Sequence, residues 1–182
     1  MILALGSNLA SSAGAPPDTL RASLAELANR GAAIRAVSAY YSTPAFPAGN
    51  GPDFVNAAAV IRADWSPQKA LAHFHAVEAQ FARTRDERWG QRTLDIDLIA
   101  AGAVVLPDEA THAHWRTLDL AAQMRRVPDD LILPHPRLQD RAFVLVPLAQ
   151  IAPNWVHPVL NRSVVQMLNA LPQADVDAVK LL

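Results

Sequence analysis

A chain of 182 residues that is 51% hydrophobic and 18% charged, with net charge −1, has the size and balance of one globular domain with a real core. The absence of cysteine excludes disulfides, thiolate zinc sites and cysteine nucleophiles, and the near-neutral total leaves no global field to draw in nucleic acid or a membrane surface. No apolar run nears the roughly 20 residues of a membrane span, and the start MILALGSNL lacks the basic, long-apolar pattern of a secretion signal, so a cytoplasmic location is expected.

Ile2 to Leu5 reads as a first strand that stops at a Gly6-Ser7-Asn8 turn. Leu20, Leu24 and Leu27 lie at helical spacing between Asp18, an expected N-cap, and Gly31, an expected stop. Ile34 to Thr43 alternates and is rich in Val, Tyr and Ser, which predicts a strand. The proline- and glycine-rich segment PAFPAGNGPD is a long loop of the kind that carries function. Phe54 to Ala63 is a further strand, antiparallel to the one before the loop.

Ser66-Pro67 starts a helix, with a hydroxyl N-cap and proline at its first position. It is expected to run to Phe81 and bury Leu71, Phe74, Val77 and Phe81. After an arginine-rich loop, TLDIDLIAAGAVVL alternates as a strand. From Pro107 to Pro128 the chain turns polar, with Trp115, Leu118 and Ala122 at helical spacing, which predicts a helical excursion with solvated His112 and His114. Prolines on both sides of His135 in LILPHPRL keep that backbone extended. Arg141 to Ile151 and Ser163 to Leu171 are predicted helices covering one side of the sheet. The order β-α-β-β-α-β with added helices defines an α+β fold, with a ferredoxin-like antiparallel sheet as the expected core and residues 1–182 as a single domain.

Chemistry concentrates in LDID. On a strand, Leu94, Ile96 and Leu98 face one way, while Asp95 and Asp97 share the other face. Side-by-side carboxylates repel unless cations sit between them, and magnesium commonly takes one or two carboxylates plus substrate phosphates. An ordinary amphipathic strand with an acidic outer face is the better account of the pair when it is taken alone. The basic residues change that balance. All but Lys69 and Lys180 are arginines, and Arg83, Arg85, Arg88 and Arg92 crowd just ahead of the acidic pair. Planar guanidinium forks bind phosphate oxygens in pairs, so carboxylates and arginines together point to a metal-bound polyphosphate. Neither a G-x-x-x-x-G-K-[ST] loop nor a G-x-G-x-x-G turn is present, which excludes the common nucleotide cradles. His73 and His75, two apart on a helix, cannot share a face as metal ligands.

In combination, ALGSNL, YYSTPAF, GPDFVNAAAV, VEAQFARTR, ERWGQRTLDIDLI and LPHPRLQDRAFVLVPLAQIAP resemble the 6-hydroxymethyl-7,8-dihydropterin pyrophosphokinase family along nearly the whole chain. The resemblance implies transfer of the β,γ-diphosphate of ATP to the hydroxymethyl group of a reduced pterin alcohol, releasing AMP, in folate biosynthesis. It implies two Mg²⁺ ions on Asp95 and Asp97, with Arg83 and Arg92 assisting the transferred group. His75, Glu78, Arg85, Arg88, Trp89, Ile99, His135 and Arg141 match ATP-binding positions. The pterin is expected between Phe54 and Phe143, read by Asn56 and the Thr43, Pro44 and Phe46 segment, with Trp89 closing over it.

An aromatic sandwich with directed amide hydrogen bonds suits a flat polar heterocycle on general grounds. No side chain stands out as a general base. Ala82, Gln91, His75, Phe54 and Pro136 depart from the family pattern, as does the long connection from Leu106 to Leu131. Rival readings are a nucleotidyltransferase releasing pyrophosphate, an RNA-binding module, and a regulatory domain that binds a ligand without turnover. No obligate protein partner and no fused second folate-pathway domain are expected.

Overall fold

The computed structural model describes residues 1–45, 51–81 and 93–182. Strand β1 (Ile2–Ser7) is buried along its whole length, as a strand covered on both faces must be. Helix α1 (Pro16–Asn29) starts two residues before the expected Asp18, with proline in its first turn and Ala15 as N-cap. Proline fits there because the first amides of a helix have no intrahelical acceptor. Asp18 lies instead in the first turn, where its charge faces the positive helix end and pairs with Arg21 at 3.0 Å. Gly31, at φ 101°, ends the segment in a conformation that glycine adopts without strain.

The single strand expected over 34–43 is two, β2 (Ala33–Val37) and β3 (Tyr41–Thr43). At the break the Ser38 hydroxyl accepts the Ala58 amide at 2.9 Å, and Gln150 accepts the Ala39 amide at 2.7 Å. Side chains thus replace ladder partners where the strand kinks. Both strands pair antiparallel with β4 (Phe54–Arg62). Helix α2 (Pro67–Gln80) has the expected cap, the Ser66 hydroxyl accepting the Lys69 amide at 3.2 Å. It buries Phe74 and Val77 as expected, but also Ala70 and Glu78, while Leu71 and Phe81 are half-buried.

Strand β5 (Asp95–Ala100) is shorter than the alternation predicts, because Gly102 turns the chain at φ 61°. Leu106 rejoins the fold through a bridge to Leu133. The main sheet runs β5-β1-β4-β3 with β2 also on β4, which is the ferredoxin-like order once β2 and β3 are taken as one broken strand. One face packs Leu3, Leu5, Ile61, Leu94, Ile96 and Leu98 against α1 and α2.

The polar excursion folds as α3 (Glu109–Arg116) and α4 (Leu120–Arg125). His114 is exposed as expected, but His112 is fully buried, which corrects the expectation of a solvated side chain. Its Nε2 donates to the Pro134 carbonyl at 3.0 Å, and its ring meets His157 edge-on at 5.6 Å between centroids. Helix α5 (Ala142–Ile151) and α6 (Val164–Leu168) cover the second sheet face, with Val144, Leu145, Leu148 and Met167 against Ile2, Ala4 and Ala58. Helix α6 is shorter than expected and starts with a reciprocal Ser163–Gln166 capping box.

Elements without a sequence expectation include the hairpin of β6 (Val156–His157) and β7 (Arg162–Ser163), helix α7 (Gln173–Asp177), and β8 (Lys180–Leu181), which pairs with β3. Among the described residues no helix is long and apolar enough to cross a membrane.

Candidate active site

The even positions of β5 are spent on the core, so Asp95 and Asp97 project from the face on which α5 lies. Both are half-buried, and they pair in register with Gly6 and Ala4 of β1. The α5 N-cap, Arg141, brings its Nη1 to 3.9 Å from Asp97 Oδ2. The same guanidinium stands 5.5 Å over the Phe143 ring, a cation–π contact that fixes its direction. Phe143 keeps an exposed ring face at the helix start.

His135 is held by both neighbours in space and sequence. Its amide donates to the Ile99 carbonyl at 2.8 Å, at the end of β5, and its Nδ1 accepts the Arg137 amide at 3.1 Å. That acceptance leaves the ring proton on Nε2. Burial, reinforced by the charge of Arg141 and only partly opposed by Asp95, pushes its pKa down to about 3. The imidazole is therefore a neutral hydrogen-bond donor beside the acidic strand.

Across β1 lies a second polar group. Asn56, on β4, is buried and donates its amide to Thr43 Oγ1 at 2.7 Å. Phe54 and Asn56 share a strand face, and Thr43 is the register partner of Phe54. Between this group and the aspartates sits Gly6, paired with both Asn56 and Asp95. A Cβ there would lie 3.2 Å from Asn56 Oδ1 and 3.9 Å from the Phe54 ring, so glycine keeps the floor of the site flat. Pro44 is exposed next to Thr43.

Other expected residues stand apart from this face. Glu78 is buried beneath β5, where its Oε1 accepts the Ile96 amide at 2.9 Å, so it braces the strand between the two aspartates. The Ile99 side chain is closed off in the core, and only its backbone reaches His135. His75 is exposed and lines a cavity of about 410 Å³ with Leu71, Leu106, Pro107, Asp130 and Leu131. Phe46, Arg83, Arg85, Arg88, Trp89 and Arg92 lie outside the described residues, as do Ala82 and Gln91.

Sequence reasoning took Gly6-Ser7-Asn8 for a plain turn. The structure has Ser7 and Asn8 buried, with Ser7 Oγ donating to the Thr93 carbonyl at 2.6 Å and Asn8 Nδ2 to the Pro52 carbonyl at 3.1 Å. Two small polar residues straight after a buried strand were the available signal.

A sheet face that carries an acidic pair at one edge and an amide–hydroxyl pair two strands away, beside the start of α5, places the chain among ferredoxin-like α+β proteins with a bipartite polar site. Residues 2–153 match the model of the 7,8-dihydro-6-hydroxymethylpterin-pyrophosphokinase (HPPK) family. The chain belongs to that family. A Synechocystis 2-amino-4-hydroxy-6-hydroxymethyldihydropteridine pyrophosphokinase is 36% identical over 98% of this chain and 77% of its own length. The Pseudomonas aeruginosa protein of the same name is 35% identical over 93% and 90%. The Plasmodium falciparum HPPK-DHPS solved with pteroate superposes with a TM-score of 0.63 at 14% identity. That match covers 92% of this chain but only 41% of the larger protein, so the chain spans less than half of it, and the likeness is one of fold.

Proposed function

We propose that the chain transfers the β,γ-diphosphate of ATP to the hydroxymethyl oxygen of 6-hydroxymethyl-7,8-dihydropterin, releasing AMP, as a step of folate synthesis in the cytoplasm. Residues 1–182 act as one catalytic domain. Membership of the pyrophosphokinase family supports the reaction class. The observation that carries the assignment of residues is the gathering of Asp95, Asp97, Arg141 and His135 on one sheet face with Asn56 and Thr43 across Gly6.

The donor set fits magnesium that arrives with its nucleotide. Among the described residues no three His, Cys, Asp or Glu side chains form a complete metal site. Two half-buried carboxylates on one strand face are what Mg²⁺ takes when phosphates and waters supply its remaining ligands. Bound at Asp95 and Asp97, two such ions would neutralise the triphosphate and acidify the pterin hydroxyl.

The rest falls to this chain's own residues. Arg141 balances the charge of Asp97 and brings a guanidinium, the group that pairs with phosphate oxygens, to the acidic strand. His135 donates a neutral hydrogen bond from Nε2 on the nucleotide side. The cavity beside His75, lined by Leu71, Leu106 and Leu131 along with Asp129 and Asp130, is the side assigned to the nucleoside. Asn56, with its amide on Thr43, presents its carbonyl edge to the pterin, and Phe54 and Phe143 offer ring faces. Glu78 acts through β5, as a brace, and Ile99 acts through its backbone. Arg83 and Arg92 assist the transferred group, Arg85, Arg88 and Trp89 hold ATP, and Pro44, Phe46 and Trp89 enclose the pterin, by family resemblance.

Phosphorus NMR of ATP, Mg²⁺ and the pterin alcohol with purified protein tests the proposal. AMP and a pterin diphosphate are the expected products. Accumulation of ADP or free pyrophosphate in their place would refute diphosphoryl transfer, and pyrophosphate release would instead favour a nucleotidyltransferase.

A further inference from the structure

The Gly6-Ser7-Asn8 turn does more than reverse the chain. The Ser7 hydroxyl has a local acceptor of the kind a plain turn offers, the Leu9 carbonyl at 3.3 Å, but its shorter bond, at 2.6 Å, reaches 86 positions along the sequence to Thr93, and Asn8 reaches 44 positions to Pro52. Both donor side chains are almost wholly inaccessible, at 0% and 4% exposure, while their acceptors lie nearer the surface, Thr93 half-buried and Pro52 exposed.

Their placement is symmetric about β1. The ladder between β1 and β5 ends at Gly6 paired with Asp95, and the ladder between β1 and β4 ends at Ser7 paired with Val55. Thr93 lies two residues before Asp95, and Pro52 lies two residues before Phe54. Past the last ladder rungs these carbonyls have no strand partner on β1, and the Ser7 hydroxyl and the Asn8 amide take over that role. One strand end therefore holds the entry of the acidic strand with one side chain and the entry of the Phe54–Asn56 strand with the next.

We infer that Ser7 and Asn8 are separate positioning residues, Ser7 setting the acidic pair through Thr93 and Asn8 setting the Phe54–Asn56 face through Pro52. The inference rests on the functional reading above for which substrate each strand serves. Because the two bonds leave from adjacent residues toward opposite neighbours, loosening one strand entry need not loosen the other. Small displacements at a reacting centre cost rate steeply. A loss confined to the acidic side should then appear in turnover, and a loss confined to the other side in pterin binding.

The test is a pair of variants, Ser7→Ala and Asn8→Asp; the second keeps the volume of asparagine but removes the donor. Ser7→Ala is expected to lower kcat about tenfold with the pterin KM within about twofold. Asn8→Asp is expected to raise the pterin KM about tenfold with kcat at saturation within about threefold. Amide hydrogen exchange of the ligand-free proteins supplies a readout independent of turnover. Ser7→Ala should speed exchange at Leu94 to Asp97, and Asn8→Asp at Phe54 to Asn56, each leaving the other segment at wild-type rates. Equal losses in both kinetic parameters, or exchange that rises in both segments together, would reduce the turn to general support and overturn the inference. Wild-type protein that releases no AMP would sink the functional reading alone, since the exchange pattern still decides the positioning roles.

Discussion

Acidification should weaken this fold through one buried contact, the imidazole pair that seats the 107–130 excursion on the C-terminal hairpin. His157 is fully buried, and its Nδ1 accepts the amides of Val159 and Leu160 at 3.2 Å each, which leaves its proton on Nε2. His112 donates from Nε2 to Pro134, which leaves a bare lone pair on Nδ1. Neither remaining nitrogen has a partner among the described residues, and the two are complementary as donor and acceptor. Protonating either ring puts a positive charge in a buried site, beside the other imidazole and near the charge of Arg116. Burial first, then the charges of His112 and Arg116, push the His157 pKa down to about 4.

A folded-state pKa below the unfolded value of about 6.5 means that the unfolded chain binds more protons. Stability from this group is complete above that value and is lost as pH falls toward 4. Between pH 7 and pH 5 the linkage amounts to about 2 kcal/mol. His112, whose pKa burial also lowers, adds in the same direction.

His157→Asn keeps an acceptor for the two amides and removes the titrating ring. Its stability should therefore fall about 2 kcal/mol less than that of wild type over the same interval, although it starts lower. Urea denaturation followed by tryptophan fluorescence resolves such a gap, which is about 1 M in midpoint at a slope of about 2 kcal/mol per molar. Wild type and variant losing equal stability, within about 0.5 kcal/mol, would refute the reasoning.

At the site itself, Asp97→Asn should cut turnover by about a thousandfold while pterin affinity stays within a few-fold, measured by AMP release and by titration calorimetry. Comparable losses in both would contradict the proposed role of Asp97 toward a metal. Gly6→Ala forces Asn56 to give way by tenths of an ångström. The pterin KM should rise several-fold with ATP binding unchanged, and a shift in ATP affinity of equal size would count against the assigned halves. Glu78→Ala strips the Ile96 amide of its buried carboxylate acceptor, which should cost about 2 kcal/mol in urea denaturation. A change below about 0.5 kcal/mol would remove Glu78 as the brace of β5.

Periodicity reveals faces, and it placed the elements well wherever one face was plainly apolar. Leu20, Leu24 and Leu27, the β5 alternation and the Ser66-Pro67 start were legible for that reason. The break between β2 and β3 was not, because Ser38 and the distant Gln150 make it, and no local pattern encodes a partner on another helix. His112 was misplaced because a polar helix hides its docking face when the partners, Pro134 and His157, are remote in sequence. The short elements β6, β7 and β8 hold by pairing rather than by pattern. In the site, Asp95 and Asp97 were legible from the alternation, Asn56 and Arg141 came with the resemblance, and only tertiary structure puts Arg141 against Asp97 and sends Glu78 under the strand. The resemblance supplied roles that spacing alone left open.

The bare glycine between Asp95 and Asn56 gives the sheet a measuring function. Adjacent strands lie about 4.8 Å apart, so β5 and β4, on either side of β1, are separated by about 9.6 Å. With no side chain rising at Gly6, that interval is clear of a Cβ, and its width is set by the backbone hydrogen bonds of the ladder. Any pair of substrates held by the two strands must meet within that gauge. On the proposed placement of the two substrates, a longer arm on the acceptor alcohol would overshoot the phosphorus and a shorter one would fall short, so strand spacing would itself select for chain length at the reacting carbon.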